Sequence, residues 1–379
     1  AVTLSASRMD KARSCHFAYF MRYGLRAKER TGAGFDAPQI GTFVHDVMEN
    51  TLRAAKERGG LHALSEEALH ELVRASIEAY IDRVLPDLNE KSARFQYLFR
   101  RLCAAVDRIM DEVSEELKSS DFEPLAFELA FGADGQLPAI TIREKNGTAR
   151  VVGKVDRVDG WLHNGKLYLR VVDYKTGKKS FDLAELRYGL GLQMLLYLFT
   201  LKEEGRALFG GQEIVPAGVL YTPAREPMLR CARDTAPEKI EKARKKELRR
   251  SGMVLEDPAV LQAMEHSALT SPCYLPIAVK KDGAVTGSLA SAEQLGKLSK
   301  YVDRLLHEIT QEVFAGNIDA DPYARTPQLS ACTYCEFASA CHFENGCGSD
   351  RMEYIKATKN DEFWQHIDEV NGKEARSDG

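Results

Sequence analysis

The sequence has no long hydrophobic run and no leader-like start, and each absence excludes a class of protein. No segment reaches the roughly 20 apolar residues that a membrane-spanning helix needs. The opening residues, AVTLSASRMDKARSC, lack the apolar stretch of a secretory signal. There is also no internal repeat and no G-x-x-x-x-G-K-[ST] phosphate loop, so no ATP motor is recognisable. We therefore predict a cytoplasmic protein with no membrane partner.

The chain also carries little net charge for its size, with a formal value of −4 over 379 residues. That balance argues against binding of polyanions over the whole surface. With 44% hydrophobic and 28% charged residues, the chain can form one large domain or two smaller ones. Two basic segments stand out: EKIEKARKKELRR at 238–250, and the group Arg22, Arg26, Lys28 and Arg30. The first is either a solvated helix face or a nucleic-acid contact.

Hydrophobic spacing predicts a helical first third followed by a sheet. Helices are predicted over residues 5–24, 37–58, 65–85 and 91–118, with Cys15 on the first. Alternating and β-branched residues then predict three successive strands, FEPLAFELAFG, ARVVGKVDRVDGWL and KLYLRVVDYKT, with a hairpin at Asn164-Gly165. A helix over 183–204 and a strand over 214–221 complete an α/β fold in which a mixed sheet is flanked by helices.

These elements divide the chain into four parts. Residues 1–120 form a helical block that carries Cys15 and His45, and residues 121–222 form the core around the sheet. Residues 223–290 are interpreted as an insertion, with a hairpin around residues 281–283. Residues 291–379 begin with a helix over 291–315 and continue into a Cys-rich tail, and the last dozen residues are predicted to be disordered.

The segment VVDYKTGK carries the strongest chemical signal. Side chains two apart on a strand project from the same face, so Asp173 and Lys175 point together while Tyr174 points away. Asp156 on the partner strand would add a second carboxylate. Two such oxygen ligands suit Mg²⁺ or Mn²⁺, and Lys175 would orient or deprotonate a water and offset negative charge. The alternative is a surface ion pair, but the apolar run LYLRVV before it favours a metal site, because an unpaired charge on a buried strand is costly.

Gln193 and Tyr197 lie four residues apart on a predicted helix and therefore share one face. Gln193 could hydrogen-bond the backbone of a substrate or fix Lys175. Tyr197 is either a ligand contact or part of the core.

His45 and Glu49 share a helix face in the same way, and a neutral imidazole at His45 could complete a divalent-metal shell. A structural histidine is the alternative. Glu128 on the first strand is another possible carboxylate. Asp159 is a rival to Asp156, but its odd spacing from Asp156 turns its side chain to the opposite face of the strand.

The cysteines near the two ends of the chain form a possible metal clamp. Cys332-x-x-Cys335-x5-Cys341 supplies three thiolates, and either Cys15 or Cys347 could supply the fourth. Four thiolates satisfy a structural Zn²⁺ or an iron-sulfur cluster, and the spacing does not choose between them. The remaining cysteines lack such spacing: Cys103, Cys231 and Cys273.

Four short motifs occur in an order that resembles the RecB-type branch of the PD-(D/E)xK nucleases. They are GTFVH ending at His45, GKVDRVD around Asp156, VVDYKTG around Asp173, and Q-x-x-x-Y at Gln193 and Tyr197. The opening LSASRMDKARSCHFAYFMRYGLRAKER and the closing cysteine pattern also resemble the C-terminal nuclease region of the AddB family. The similarity covers almost the whole chain. It implies a restriction-endonuclease-like core with a helical N-terminal block and a C-terminal iron-sulfur segment.

The resemblance also implies roles for individual residues. His45, Asp156 and Asp173 would be metal ligands together with the Tyr174 carbonyl, and Lys175 would be catalytic. Gln193 and Tyr197 would contact DNA or position Lys175. A 4Fe-4S cluster would be held by one early and three late cysteines: Cys15, Cys332, Cys335 and Cys341.

The function implied by the resemblance is that of a metal-dependent DNA exonuclease. It would act on the 5′-ended strand during double-strand-break processing, in a complex with an AddA-like helicase-nuclease subunit. AddB proteins are much longer, so the resemblance predicts an excised fragment or a separately encoded nuclease. Two alternatives stay open: a stand-alone iron-sulfur exonuclease of CRISPR adaptation, and a non-catalytic DNA-binding or assembly module.

Overall fold

The chain begins with a short strand and two short helices, and Cys15 lies where the helices meet. The computed structural model describes residues 1–28, 37–132, 134–326 and 328–377, so Arg30 lies outside the described residues. The first segment contains β1 (Val2–Ser5), α1 (Ala6–Ser14), α2 (His16–Tyr19) and a π-helical turn (Phe20–Gly24). Ser5 caps α1, because its hydroxyl accepts a hydrogen bond from the Arg8 backbone N–H at 3.3 Å.

The prediction of one continuous helix over residues 5–24 is wrong, because the helix breaks at Cys15. Cys15 has an extended backbone, with φ −176° and ψ 123°. The backbone N–H of His16 donates to the Asp321 carboxylate at 2.8 Å, and that of Phe17 donates to the Asp319 carbonyl at 2.9 Å. Distant acceptors therefore replace the carbonyls of the preceding turn. The break lets Cys15 pack in one cluster with residues near the other end of the chain.

Three long helices follow, and their bounds agree with the predicted helices over 37–58, 65–85 and 91–118. They are α3 (Ala37–Glu57), α4 (Glu66–Val84) and α5 (Ala93–Lys118). The hydroxyls of Ser65 and Ser92 cap the second and third of these helices. The apolar sides of the three helices meet in a core that includes Phe43, Val47 and Met110.

A mixed sheet forms the centre of the fold, as predicted. After β1, its strands are β2 (Glu123–Phe131), β3 (Ile140–Glu144), β4 (Gly147–His163), β5 (Lys166–Lys175), β6 (Glu213–Pro223) and β7 (Ser251–Leu255). The order across the sheet is β1-β4-β5-β6-β7, and β2 and β3 also pair with β4. β5 runs parallel to β6 and antiparallel to β4. The predicted hairpin between β4 and β5 is confirmed, with Asn164 and Gly165 at φ 50° and 74°. The strands β1 and β3 were not predicted from the sequence.

The helix predicted over residues 183–204 is interrupted and forms α6 (Leu183–Arg187) and α7 (Gln193–Glu204). Between them Gly189 and Gly191 have φ +78° and +68°, a left-handed conformation that side chains other than glycine rarely adopt. The N–H of Gly191 donates to the Asp10 carboxylate of α1 at 2.9 Å. α7 therefore begins at Gln193, and the residues before it are held by α1.

Residues 223–290, interpreted from the sequence as an insertion, contribute directly to the sheet. They contain β7 and also α8 (Pro237–Glu247), α9 (Pro258–Met264), β8 (Ile277–Val279), β9 (Val285–Gly287) and β10 (Leu289–Ala290). β7 pairs antiparallel with β6, and β10 pairs parallel with β7. The hairpin predicted around residues 281–283 is confirmed by the pairing of β8 with β9.

The last part of the chain contains a long helix, the Cys-rich segment and a final helix. These are α10 (Ala292–Ala315), β11 (Tyr323–Thr326), β12 (Leu329–Ser330), α11 (Ala338–Cys341), β13 (Glu353–Tyr354) and α12 (Asn360–Ser377). α12 extends to Ser377, into the last dozen residues, for which the sequence predicts disorder. The last two residues lie outside the described residues. Phe363 and Ile367, earlier in α12, are buried in the core shared with α10. Of the helices in the described ranges, none has the length and apolarity to cross a membrane.

Alternation along β5 shows how two helical layers enclose the sheet. Val172 and Tyr174 belong to the core that α3, α4 and α5 form. Leu169 and Val171 belong to the other core, which contains α7 and α10. Asp173 shares the face of Val171 because side chains two apart lie on one side of a strand. The carboxyl end of β5 is therefore where both layers and the sheet meet.

Candidate active site

The pairing of β4 with β5 brings the predicted carboxylates together. Arg157 pairs with Val172, which makes Asp156 and Asp173 neighbours across the two strands. The Asp156 carboxylate accepts a hydrogen bond from the Tyr174 backbone N–H at 2.9 Å. The side chain of Tyr174 points to the opposite face, as predicted. Alternation along the two strands was therefore sufficient to predict that both carboxylates lie at this end of the sheet.

His45 lies on α3, in the layer that α3, α4 and α5 form, and its side chain reaches the same end of the sheet. Its Nδ1 lies 3.3 Å from the Asp156 carboxylate, and its Nε2 lies 2.9 Å from the Tyr174 carbonyl oxygen. Burial lowers the pKa of His45, but the Asp156 carboxylate and the Tyr174 carbonyl outweigh burial and raise it above its ordinary value. Both ring nitrogens therefore face acceptors, an environment that also suits a cation shared with Asp156.

Glu128 completes a group of three possible metal ligands with His45 and Asp156. One ligand atom from each of the three lies within 4.8 Å of the others, and within the described residues no other group meets this spacing. Glu128 has φ +49° inside β2, a left-handed conformation that is costly for a residue other than glycine. Asp173 lies outside this closest group, and its role as a metal ligand stays a prediction. Glu49 instead pairs with Arg53 of the same helix, at 2.6 Å.

Lys154 forms an ion pair with Glu128. Burial raises the pKa of the Glu128 carboxyl, and the Lys154 ammonium opposes that rise. The Lys154 ammonium therefore compensates the charge of Glu128. Lys154 was not predicted from the sequence, although its position two residues before Asp156 on β4 places both side chains on one face.

Asp173 and Lys175 form an ion pair beside the three-residue group. The Lys175 Nζ lies 2.6 Å from the Asp173 carboxylate and 5.7 Å from the centre of the Tyr221 ring. Asp173 is 4% exposed, whereas the side chain of Lys175 is 32% exposed and reaches solvent. Burial, followed by repulsion from Asp156, raises the pKa of Asp173 to about 6. The shared face of Asp173 and Lys175 was correctly predicted.

Replacing Asp173 with asparagine should stabilise the metal-free protein at neutral and alkaline pH. The pKa of Asp173 rises from 3.8 to about 6 in the fold, so ionising this carboxyl costs stability above pH 6. Removing the charge should raise the free energy of unfolding by roughly 1–3 kcal/mol at pH 8. Urea unfolding of parent and Asp173→Asn in EDTA measures the difference.

The difference in free energy of unfolding between Asp173→Asn and the parent should shrink as the pH falls from 6 to 4. Both the folded and the unfolded parent then become protonated at this position. The isosteric change keeps the volume of the side chain, so packing stays constant. A variant that is less stable than the parent at pH 8, or an advantage that grows on acidification, would contradict the assigned environment of Asp173.

Gln193 and Tyr197 lie on one face of α7, as predicted, and contact each other. The Gln193 side-chain amide donates to the Tyr197 hydroxyl at 3.3 Å, and the Lys154 backbone N–H donates to the same hydroxyl at 3.3 Å. Tyr197 is 3% exposed, so contact of its side chain with DNA is not available in this structure. A Cβ on Gly153 would lie 2.6 Å from the Tyr197 ring. Glycine therefore lets Tyr197 pack directly against β4.

Asp159 lies on the opposite face of the sheet, which excludes it from the metal-ligand group and agrees with its odd spacing from Asp156. Its carboxylate lies 2.7 Å from Arg157 and 2.9 Å from Arg170, and all three side chains are fully buried. Arg157 donates to the Tyr174 hydroxyl at 2.6 Å. Glu116 of α5 pairs with Arg250 and lies 3.7 Å from Arg170.

This buried charge network was not predicted from the sequence. Tyr174 links it to the candidate site, because the hydroxyl of Tyr174 contacts the network while its backbone contacts His45 and Asp156. Alternation along GKVDRVDG was the available signal, since it places Arg157 and Asp159 together on the face opposite Asp156. The partner Glu116 is far away in the sequence and carries no such signal.

The four cysteines of the predicted clamp line one cavity of about 180 Å³: Cys15, Cys332, Cys335 and Cys341. Burial raises the pKa of Cys332 to about 11, and the neighbouring thiols of this cluster add to the rise. The cavity wall also contains residues of α1, α2 and α11. The break at Cys15 thus brings the first cysteine to the last three.

Cys347 is exposed and lies outside the residues that line this cavity. That position disfavours it as the fourth ligand. Cys15, by contrast, is buried beside Cys335 and Phe337 in a small apolar cluster. The two cysteines therefore differ in burial as well as in position.

The chain matches a family model described as the PD-(D/E)XK nuclease superfamily over residues 3–342. It is also 33% identical to an ATP-dependent helicase/deoxyribonuclease subunit of Thermoanaerobacter sp. (strain X514), over 100% of this chain and 33% of that protein. The protein of the same name from Acetivibrio thermocellus is 34% identical, over 95% of this chain and 32% of its own length. The chain thus spans about a third of these relatives. With the family match covering nearly the whole sequence and the acidic strand ends assembled as described, the chain belongs to the PD-(D/E)XK nuclease superfamily.

Proposed function

We propose that the protein is a divalent-metal-dependent deoxyribonuclease whose active site lies at the ends of β4 and β5. The observation that carries this proposal is the convergence of His45, Glu128 and Asp156 beside the Asp173–Lys175 pair. Two carboxylates and an imidazole fit Mg²⁺ or Mn²⁺, and the family contains nucleases. The intact pair of Asp173 and Lys175 argues against a purely non-catalytic DNA-binding module.

Each residue has a role in this proposal that follows from its position. His45, Asp156 and Glu128 hold the metal ion, with Asp173 and the Tyr174 carbonyl beside them. A bound Mg²⁺ supplies a water of lowered pKa and neutralises charge on the phosphate. Lys175, held by Asp173 and open to solvent, orients the attacking water and offsets the negative charge that develops on the phosphate.

Gln193 and Tyr197 have supporting roles in the proposal. Tyr197 fixes the backbone of β4 at Lys154, next to the proposed metal ligands. Gln193 is half-buried at the first position of α7 and is bonded to Tyr197, so it can contact the DNA backbone or position Lys175. A loss of DNA affinity in a Gln193→Ala variant would favour the first role, and a loss of rate alone would favour the second.

The wider function follows from the names of the relatives and from the resemblance of the motifs. We propose that the chain acts as the nuclease part of an AddB-like protein, in complex with an AddA-like helicase-nuclease, during processing of double-strand breaks. The relatives are named as subunits of a helicase/deoxyribonuclease, which supports a DNA substrate and a partner protein. Exonuclease action on the 5′-ended strand rests on the resemblance alone.

The test uses DNA carrying a fluorescent label on either the 5′ or the 3′ end, as single strand and as duplex. Mg²⁺-dependent cleavage by the purified chain, abolished by EDTA, is the expected result. Short labelled products from the 5′ label would support the proposed polarity. Failure to cut any of these substrates in Mg²⁺ or Mn²⁺ would overturn the nuclease proposal.

The four cysteines of the clamp would hold a 4Fe-4S cluster, as the resemblance to the AddB family implies. They line a common cavity, so four thiolates are available to one metal centre, with each cysteine ligating one iron atom. Four thiolates also satisfy a structural zinc ion, and metal analysis distinguishes the two.

Replacing Cys15 with alanine should remove iron and lower the unfolding temperature. The cluster would join residue 15 to residues 332–341, and loss of a cross-link over so long a loop costs roughly 3–5 kcal/mol, or about 4–6 °C for a chain of 379 residues. Iron and sulfide analysis together with thermal unfolding of an anaerobic preparation measures both effects. Cys347→Ala is the matched control and should keep iron and stability. Unchanged iron in Cys15→Ala, or lost iron in Cys347→Ala, would contradict this ligand set.

A further inference from the structure

A basic groove extends from Lys175 on the side away from the proposed metal ligands. It has a volume of about 320 Å³ and includes Tyr221, Ser180 and Ser251 in its wall. Besides Lys175, the cationic residues that line it are Lys178, Lys179, Arg225 and Arg249. Among the described residues of the wall, Glu247 is the one carboxylate. Lys175 and Lys179 also pair with carboxylates outside the wall, Asp173 at 2.6 Å and Glu185 at 3.7 Å, and the cations still outnumber the carboxylates.

Two guanidinium groups of this groove have unsatisfied donors. The Nε atoms of Arg225 and Arg249 are buried and have no hydrogen-bond partner among the described residues. Glu247 lies 3.9 Å from both Arg225 and Lys178, beyond hydrogen-bond distance. Arginine guanidinium groups bind phosphate oxygens through charge-assisted hydrogen bonds, so Arg225 and Arg249 make this wall suited to an anion.

The groove continues the edge of the sheet on which the proposed metal ligands lie. Lys175 of β5 pairs with Pro223 of β6, and Tyr221 of β6 pairs with Ser251 of β7. Glu128 and Asp156 lie on β2 and β4, on the other side of β5. Neighbouring strands are about 4.8 Å apart, so β4 to β7 spans about 14 Å. A chain of phosphates can therefore pass from the metal ligands into the groove along one edge.

We infer that this groove binds the sugar-phosphate backbone of a single DNA strand next to the phosphate that is cut. The inference rests on the proposed nuclease function and adds to it the path of the strand. The groove follows one edge of the sheet beside Lys175, so it contacts the backbone of one strand. Residues 223–290 thereby gain a role, because they supply Arg225, Glu247 and Arg249.

The test measures binding of a fluorescently labelled single strand by anisotropy in EDTA, where no cleavage occurs. Neutralising two cations in Lys178→Gln/Lys179→Gln should weaken binding about fivefold to tenfold and reduce the slope of log affinity against log salt by about 1.4. Glu247→Gln should have the opposite effect and tighten binding about twofold to threefold, because it removes the carboxylate of the groove wall, which repels phosphate. A folding defect would not produce this tightening.

Lys242→Gln is the matched control, since Lys242 is exposed on α8 and outside the groove wall. It should bind DNA as the parent does, and thermal unfolding should show all variants folded. Equal affinity of the groove variants and Lys242→Gln would overturn the inference, as would an effect on duplex binding alone. If the parent failed to cleave DNA in Mg²⁺, that result would instead contradict the nuclease proposal. The two failures are therefore distinguishable.

Discussion

The Lys175→Met variant is expected to cleave DNA about 10²–10³-fold more slowly than the parent, the usual loss when one stabilising donor of the transition state is removed. Methionine is a flexible, unbranched side chain of similar size, but it lacks the ammonium group and therefore the charge that faces Asp173 and the Tyr221 ring. Asp173 and the three proposed metal ligands remain in place, so metal binding should persist. Single-turnover cleavage of end-labelled DNA at saturating Mg²⁺ measures the effect on the chemical step.

Lys166→Met is a matched control on the same strand. Lys166 lies at the opposite end of β5 in an exposed pair with Glu213, at 2.9 Å. Loss of such an exposed surface pair has little effect on stability and should leave the cleavage rate unchanged. A Lys175→Met variant that cuts at the parental rate would remove Lys175 from the proposed chemistry.

The Asp159→Asn variant is expected to lose about 3–5 kcal/mol of stability, the usual cost when one partner of a buried ion pair is removed. Asp159 compensates Arg157 and Arg170 at the same time. Without it, one carboxylate, Glu116, would face three buried guanidinium groups: Arg157, Arg170 and Arg250. Urea unfolding measures the free-energy difference.

Two comparisons make this result specific to the network. Arg157→Met should lower the free energy of unfolding by less than Asp159→Asn does, because it leaves Asp159 paired with Arg170 and Glu116 paired with Arg250. Glu213→Gln, in the exposed pair with Lys166, should cost less than about 1 kcal/mol. If Asp159→Asn were no more destabilising than Glu213→Gln, the buried network would not hold the sheet against α5.

Local patterns predicted the parts of the site that strands and helices place by themselves. Alternation in VVDYKT was sufficient to put Asp173 and Lys175 on one face and Tyr174 on the other. Helical spacing likewise predicted the contact of Gln193 with Tyr197. Both results depend on residues a few positions apart, whose geometry the backbone fixes.

Features that depend on distant residues were missed. The break at Cys15 follows from hydrogen bonds to Asp319 and Asp321, about three hundred residues away in the sequence. The place of Glu128 beside Asp156 depends on a left-handed backbone at φ +49°, which strand alternation does not predict. The interruption between α6 and α7 was marked by Gly189 and Gly191, but their positive φ values became evident only in the fold.

Binding of Mn²⁺, followed by electron paramagnetic resonance, tests the proposed metal centre most directly. We expect a tight site in the parent that is lost in Asp156→Asn and Glu128→Gln and retained in Asp159→Asn, because Asp159 faces the opposite side of the sheet. A thermal unfolding curve of each variant would check that it is folded at the temperature of the Mn²⁺ measurement. Equal Mn²⁺ binding by the parent, Asp156→Asn and Glu128→Gln would contradict the metal centre at the ends of β2, β4 and β5.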